Sequence, residues 1–235
     1  MISGEENPFE RADSETVSYT DLMESVDRHE EGLCLANAAA QLSKTPIDKI
    51  KADLAAIWFL SKISGREPEA AARCDSVIEE HGLTDDVDLM PYVAAAMSNR
   101  GWLLAWHQND VPAAMEAFEG VVQKYAAIDD PEVRAKIYGA TVNRGWLLFE
   151  IGQIEKSIEL FDEVISNEFN SDNEFILPQL SNAMVNKAYA LFKLDRNRLE
   201  EAKGLCVDVI ARFGNSADRQ FHESVAEAKA FLMEY

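Results

Sequence analysis

Cysteine is scarce in this 235-residue chain, with single copies at positions 34, 74 and 206. That is too few for a disulfide-stapled scaffold, and an odd number leaves at least one thiol unpaired. Basic residues are also few: 22 Lys and Arg stand against 42 Asp and Glu, a formal net charge of −20. A field of that sign repels phosphate backbones and anionic lipid headgroups, so the expectation is no nucleic acid and no membrane partner. No run reaches the ~18 apolar residues that a membrane span needs. Met1 to Glu15 is acidic and lacks the cationic start and apolar stretch of a secretory leader, so a cytoplasmic location is expected. There is no phosphate-cradling glycine loop, nucleophile elbow or cysteine pair. His29, His81, His107 and His222 fall in separate segments without metal-ligand spacing. Asp85, Asp86 and Asp88 lack the central Gly and closing Glu of a calcium loop and read as a loop before a helix cap. These gaps lead to an expectation of no catalytic residue, no metal and no cofactor.

What the chain has is repetition. Asn99-Arg100-Gly101-Trp102-Leu103-Leu104 recurs as Asn143-Arg144-Gly145-Trp146-Leu147-Leu148, and again as Asn186-Lys187-Ala188-Tyr189-Ala190-Leu191, 44 and then 43 residues on. Each copy is followed in step by a second run: Phe118-Glu119-Gly120-Val121-Val122, Phe161-Asp162-Glu163-Val164-Ile165 and Cys206-Val207-Asp208-Val209-Ile210. A degenerate copy upstream carries Trp58 and Cys74-Asp75-Ser76-Val77-Ile78. Two anchors recurring together mark a repeat architecture and point to a binding surface rather than a pocket enzyme. Cys74 and Cys206 stand in the slot of Phe118 and Phe161, which reads them as buried apolar residues in a reducing compartment.

Turn chemistry sets the helices. Residues 1–18 are polar and acidic and read as a mobile tail. Residues 19–45 form an N-terminal helical segment, continuous or broken at Gly32. Thr45-Pro46 suits a helix start, by capping and by a proline in the first turn. That helix runs to about Ser64, and the next from Glu67 to about Glu80. Long and short helices then alternate: about Asp88–Trp106, Val111–Tyr125, Pro131 to about Gly152, Ile154–Glu168, Phe175–Leu194 and Leu199–Phe213. A last, charge-rich helix over about Ala217–Met233 reads as a terminal cap. Pro91 and Pro178, each eight residues before a repeated Asn, mark a bend or a true helix start. Residues 46–235 form one continuous repeat array in this reading.

Asn143, Gly145, Leu148, Gly152, Ile154, Ser157, Phe161 and Val164, with Asn99, Gly101, Leu104, Ala114, Phe118 and Val121 one copy earlier, resemble the helical-hairpin motif of the tetratricopeptide repeat family. The resemblance covers residues 46–235. It implies an all-α fold, a right-handed superhelix of hairpins. Three features depart from the family pattern: the period is 43 to 44 residues rather than 34, the usual Pro at the end of the second helix is missing from the aligned slots, and Arg100, Arg144 and Lys187 stand where Leu is usual. The angle of these cations directs them toward the second helix of their own hairpin, where Glu119, Asp162 or Glu163, and Asp208 recur, and an ion pair inside each hairpin is expected.

The resemblance also implies that the side of the first helices carrying Trp146 lines a concave groove. At about 100° per residue, Val142, Asn143, Phe149 and Glu150 flank Trp146 on that side. Their counterparts are Ser98, Asn99, Trp102, Ala105 and Trp106 before, Val185, Asn186, Tyr189, Phe192 and Lys193 after, and Leu54, Trp58, Ser61 and Lys62 in the first copy. All four tryptophans fall there. Rings of this kind bury side chains of an extended segment, while Asn amides answer its backbone. Trp58, Asn99, Trp102, Trp106, Asn143, Trp146, Phe149, Asn186 and Tyr189 are therefore the candidate binding residues. The function read from them is a non-enzymatic scaffold for a protein or peptide partner, basic or apolar in character. Two bland alternatives stand beside it: the rings as plain core, and the groove filled by the chain's own N-terminal segment. The functional alternatives are a sensor of a small molecule or peptide that regulates a partner, and an enzyme without a recognised motif.

Overall fold

The computed structural model describes residues 28–235. The expected tail over 1–18 and the start of the segment 19–45 lie outside the described residues. Ten α-helices follow one another: α1 His29–Leu42, α2 Pro46–Lys62, α3 Glu67–His81, α4 Met90–Trp106, α5 Val111–Tyr125, α6 Pro131–Glu150, α7 Ile154–Glu168, α8 Leu177–Leu194, α9 Leu199–Phe213 and α10 His222–Glu234. Short 3₁₀ turns at Arg196–Arg198 and Arg219–Phe221 lead into α9 and α10, and no strand occurs among the described residues. The chain divides into two compact units, one ending at Ala114 and one spanning Met115–Tyr235, with the boundary inside α5. In the first unit each helix from α1 to α4 packs on the next, and α2 also meets α4. In the second unit α6 through α10 do the same, with α6 beside α8 and α8 beside α10. Each unit is thus a stack of helical hairpins, the arrangement of an α-helical solenoid.

The helix starts follow from their caps. Thr45 Oγ1 accepts the Asp48 N–H at 3.1 Å ahead of Pro46. Asp130 Oδ1 accepts the Val133 N–H at 2.9 Å ahead of Pro131. Each satisfies one of the orphan donors of a first turn and contributes about 1 kcal/mol. Pro91 and Pro178 lie in the first turns of α4 and α8, so they mark true starts rather than bends. Gly65 and Gly152 close α2 and α6 with φ of 86° and 82°, a conformation that costs other residues a steric penalty.

Gly32 does not break α1. It is buried where the Phe59 ring from α2 fills the place of a Cβ. The same device recurs in the second unit: a Cβ on Gly145 would stand 2.6 Å from Phe161 Cε1. Where the second helix offers a small Cys206 instead, the first helix has Ala188, and both lie in the same core. Ile57 and Cys74 make the corresponding combination in the first unit. Close packing demands this exchange of volume, because an interior near crystal density leaves no slack. Burial also pushes the Cys74 thiol up to about 12 and Cys206 up to about 11, so both are inert packing residues.

The ion pairs differ from expectation. Arg100 Nε lies 2.9 Å from Asp75 Oδ1, Arg144 Nη1 pairs with Glu119, and Lys187 Nζ lies 2.5 Å from Asp162 Oδ1. Each first helix therefore reaches back to the second helix of the preceding hairpin, always 25 residues earlier. The expected partners within the hairpin are not used. In the second unit α8 is sandwiched between α7 and α9, and the angle of Lys187 brings it to the earlier one.

Two outcomes test this packing. Gly145→Ala should destabilise by about 1–3 kcal/mol despite alanine's better helix propensity, since the methyl enters the Phe161 ring. Phe161→Leu in the same chain should recover part of that loss in urea denaturation. A double-mutant cycle should give Arg144 and Glu119 a coupling of about 0.5–1 kcal/mol, as half-exposed pairs do, and Arg144 and Asp162 none.

Candidate functional site

The first unit positions Trp58 on α2 and Asn99, Trp102 and Trp106 on α4. The three indoles are 37–43% exposed, which separates them from the core of their unit. Trp102 and Trp106, one turn apart, stack with centroids 4.0 Å apart and planes at 19°. Stacking holds both rings as one preformed apolar plate at little further cost in rotamer entropy. Trp58 meets His29 edge-on at 5.9 Å and Phe59 at 5.0 Å, with Lys62 Nζ 5.6 Å from its ring centre. The plain-core reading does not describe these rings.

The second unit positions Asn143, Trp146 and Phe149 on α6, and Asn186 and Tyr189 on α8. Trp146 and Phe149 are half-buried and stack at 4.9 Å and 22°. Lys193 Nζ sits 4.1 Å from the Phe149 ring centre and donates to the Phe149 carbonyl at 3.4 Å. That bond ties the end of α8 to a carbonyl at the end of α6 that also accepts the Gly152 N–H at 3.1 Å. Tyr189 takes a different environment. Its ring meets Phe231 of α10 edge-on at 5.1 Å, and burial pushes its hydroxyl pKa up. The candidate surface on α8 is therefore partly occupied by the chain's last helix.

The edges of the expected groove arc shift as well. Val142, Val185 and Phe192 are buried in the core of the second unit, and Ala105 is buried in the first, so these flanking positions are packing residues. The asparagines keep their place. Asn99, Asn143 and Asn186 are half-buried, and their side-chain amides have no hydrogen-bond partner among the described residues.

A residue absent from the sequence-derived set stands out. Lys136 on α6 is half-buried, and burial lowers its ammonium pKa while Glu132 one turn away partly offsets the shift. Its helical angle, about 80° from Trp146, could have marked it, but it lies outside the repeated run. A separate cavity of about 430 Å³ in the first unit is lined by Asn37, Ala40, Gln41, Lys49, Asp53 and Arg73. There Arg73 Nη1 donates to Asn37 Oδ1 at 2.7 Å and Nε lies 3.6 Å from Asp53, whose carboxyl pKa is raised by burial. Lys49 is held by Glu80 at 2.6 Å. The charges of that cavity answer one another.

No helix among the described residues is long and apolar enough to cross a membrane. No three His, Cys, Asp or Glu side chains among them come together as metal ligands would. For Trp102, truncation should separate site from core: Trp102→Ala should cost less than about 1.5 kcal/mol in urea denaturation, against about 3–5 kcal/mol for Phe231→Ala, whose ring is fully buried. No protein-family model matches the chain, and no curated protein matches it with significant similarity.

Proposed function

We propose that this chain is a non-enzymatic scaffold of tetratricopeptide type that binds a peptide or protein segment on the aromatic and amide-bearing faces of its first helices. The observation that carries the reading is the stacked Trp102–Trp106 pair, left more than a third exposed beside the uncommitted amide of Asn99. Large rigid rings exposed together are costly to keep in water unless something covers them, and Trp is the residue most enriched among binding anchors. The repeated Asn–Trp combination on α6 supports a second contact surface of the same kind. The net acidity of the chain makes nucleic acid and anionic lipid poor partners, and the free, buried Cys74 and Cys206 suit a cytoplasmic location.

Selection of random twelve-residue peptides displayed on phage against the intact chain tests this reading. Peptides recovered should bind with a blue shift of indole emission, as bound rings leave water. Trp102→Ala should weaken peptides held on the first unit, and Trp146→Ala those held on the second, each by about 30-fold or more, the equivalent of about 2 kcal/mol, with unchanged circular dichroism. Affinity that survives both substitutions would remove these faces as the site. An emission shift produced by small molecules and never by peptides would favour a sensor instead.

A further inference from the structure

The second unit carries a polar stripe beside its aromatic one. With Trp146 at zero, Lys136 lies at about 80°, Gly139 at about 20° and Asn143 at about 60° around α6. On α8, one repeat later, Gln179, Asn182, Asn186 and Tyr189 occupy the same four positions. The two helices lie side by side and run in the same direction, since two chain reversals separate them. Gly139 leaves an opening in α6 over which the Gln179 carboxamide reaches, 3.4 Å from where a Cβ would stand. Gln179, Asn182, Asn143 and Asn186 are all half-buried, and none of their amides is hydrogen-bonded among the described residues. Four uncommitted amides in two adjacent stripes can donate to and accept from an extended backbone.

Lys136 stands at the head of this stripe. It forms no ion pair within 4.0 Å among the described residues, although the chain holds almost two carboxylates for every cation. Other cations of similar exposure, Arg144, Lys187 and Arg73, are each paired. Glu132, one turn earlier on α6, acts on this ammonium only from beyond ion-pair distance, so a half-buried cation without a direct ion pair leaves room for an incoming anion.

We infer that Lys136 seats a carboxylate side chain from an extended segment of a partner protein, which then runs past the amides of α6 and α8 toward Trp146. This rests on the binding function proposed above and replaces the expectation of a basic partner at this face. Ten residues of helix separate Lys136 from Trp146, about 15 Å at 1.5 Å per residue. An extended chain covers that distance in about four to five residues. The recognised segment therefore carries Asp or Glu some four to five residues from a large apolar side chain. The lowered pKa of the free ammonium agrees with a group waiting for its counter-charge, and binding should raise it.

The test uses a fluorescein-labelled decapeptide of Ser, Gly and Thr with one Glu five residues from one Phe, and its twin with Gln for Glu. Anisotropy should show the Glu peptide binding at least about fivefold tighter to the full chain. Lys136→Gln should abolish the difference and Lys136→Arg should keep it. Gln is the native residue at the matching position of α8, so the first variant is expected to fold, and circular dichroism verifies it. In ¹³C-labelled protein the lysine Cε resonance assigned through Lys136→Gln should titrate at higher pH once the Glu peptide is bound. Equal binding of the two peptides, or a preference that persists in Lys136→Gln, overturns the seat. If equal binding is nonetheless weakened by Trp146→Ala, the scaffold reading stands and only the seat falls. If neither peptide binds at millimolar concentration, both fall at this face. Lys136-dependent binding of free glutarate without peptide binding would also overturn the inference, by assigning the lysine to a small acid.

Discussion

The close approach of a small residue on one helix to a large ring on the next fixes much else in this molecule. Gly145 lets the Phe161 ring into α6, and Gly32 admits Phe59 into α1. That contact sets the rotation of the first helix about its axis. Trp146 follows Gly145 directly and is therefore turned about 100° from the hairpin seam. The half-buried aromatic face around Trp146 is thus a geometric consequence of core packing. The interior tolerates no void, so the combination changes jointly: where the ring shrinks to Cys206, the glycine grows to Ala188.

The cations of the repeated run act at a different joint. Arg100, Arg144 and Lys187 each reach back to an acid on the preceding hairpin. Half-exposed pairs of this kind add little stability. Their constant 25-residue reach instead favours one register of hairpin on hairpin, because a shift by one turn would part each cation from its present acid.

Much of the fold was legible from punctuation. The bounds of α5, α7 and α9 agree with the expected Val111–Tyr125, Ile154–Glu168 and Leu199–Phe213, since each has a clear apolar stripe between strong breakers. The first helices α4 and α8 begin two residues later than expected, because Pro91 and Pro178 occupy their first turns. Gly32 misleads when read alone, since only its partner Phe59 explains a glycine inside a helix. The ion pairs mislead for a related reason. A helical wheel gives the angle of Arg144 but not which of two flanking helices lies in that direction.

The candidate site divides the same way. Composition and period determined by themselves that the chain is helical, that it repeats, and that Trp58, Trp102, Trp106 and Trp146 share an angular position. Only the tertiary structure decided which of the matching residues meets solvent. Tyr189 holds the slot of Trp146 yet meets Phe231 edge-on, because α10 packs against α8. Val142 and Phe192 fall inside the expected arc yet are buried, because a neighbouring helix covers that edge. Lys136 belongs to no repeated run, and its lack of a partner is a statement about every carboxylate around it. Angle is a local property of one helix and can be read from sequence; exposure and pairing belong to the neighbours, and the neighbours exist only once the hairpins have stacked.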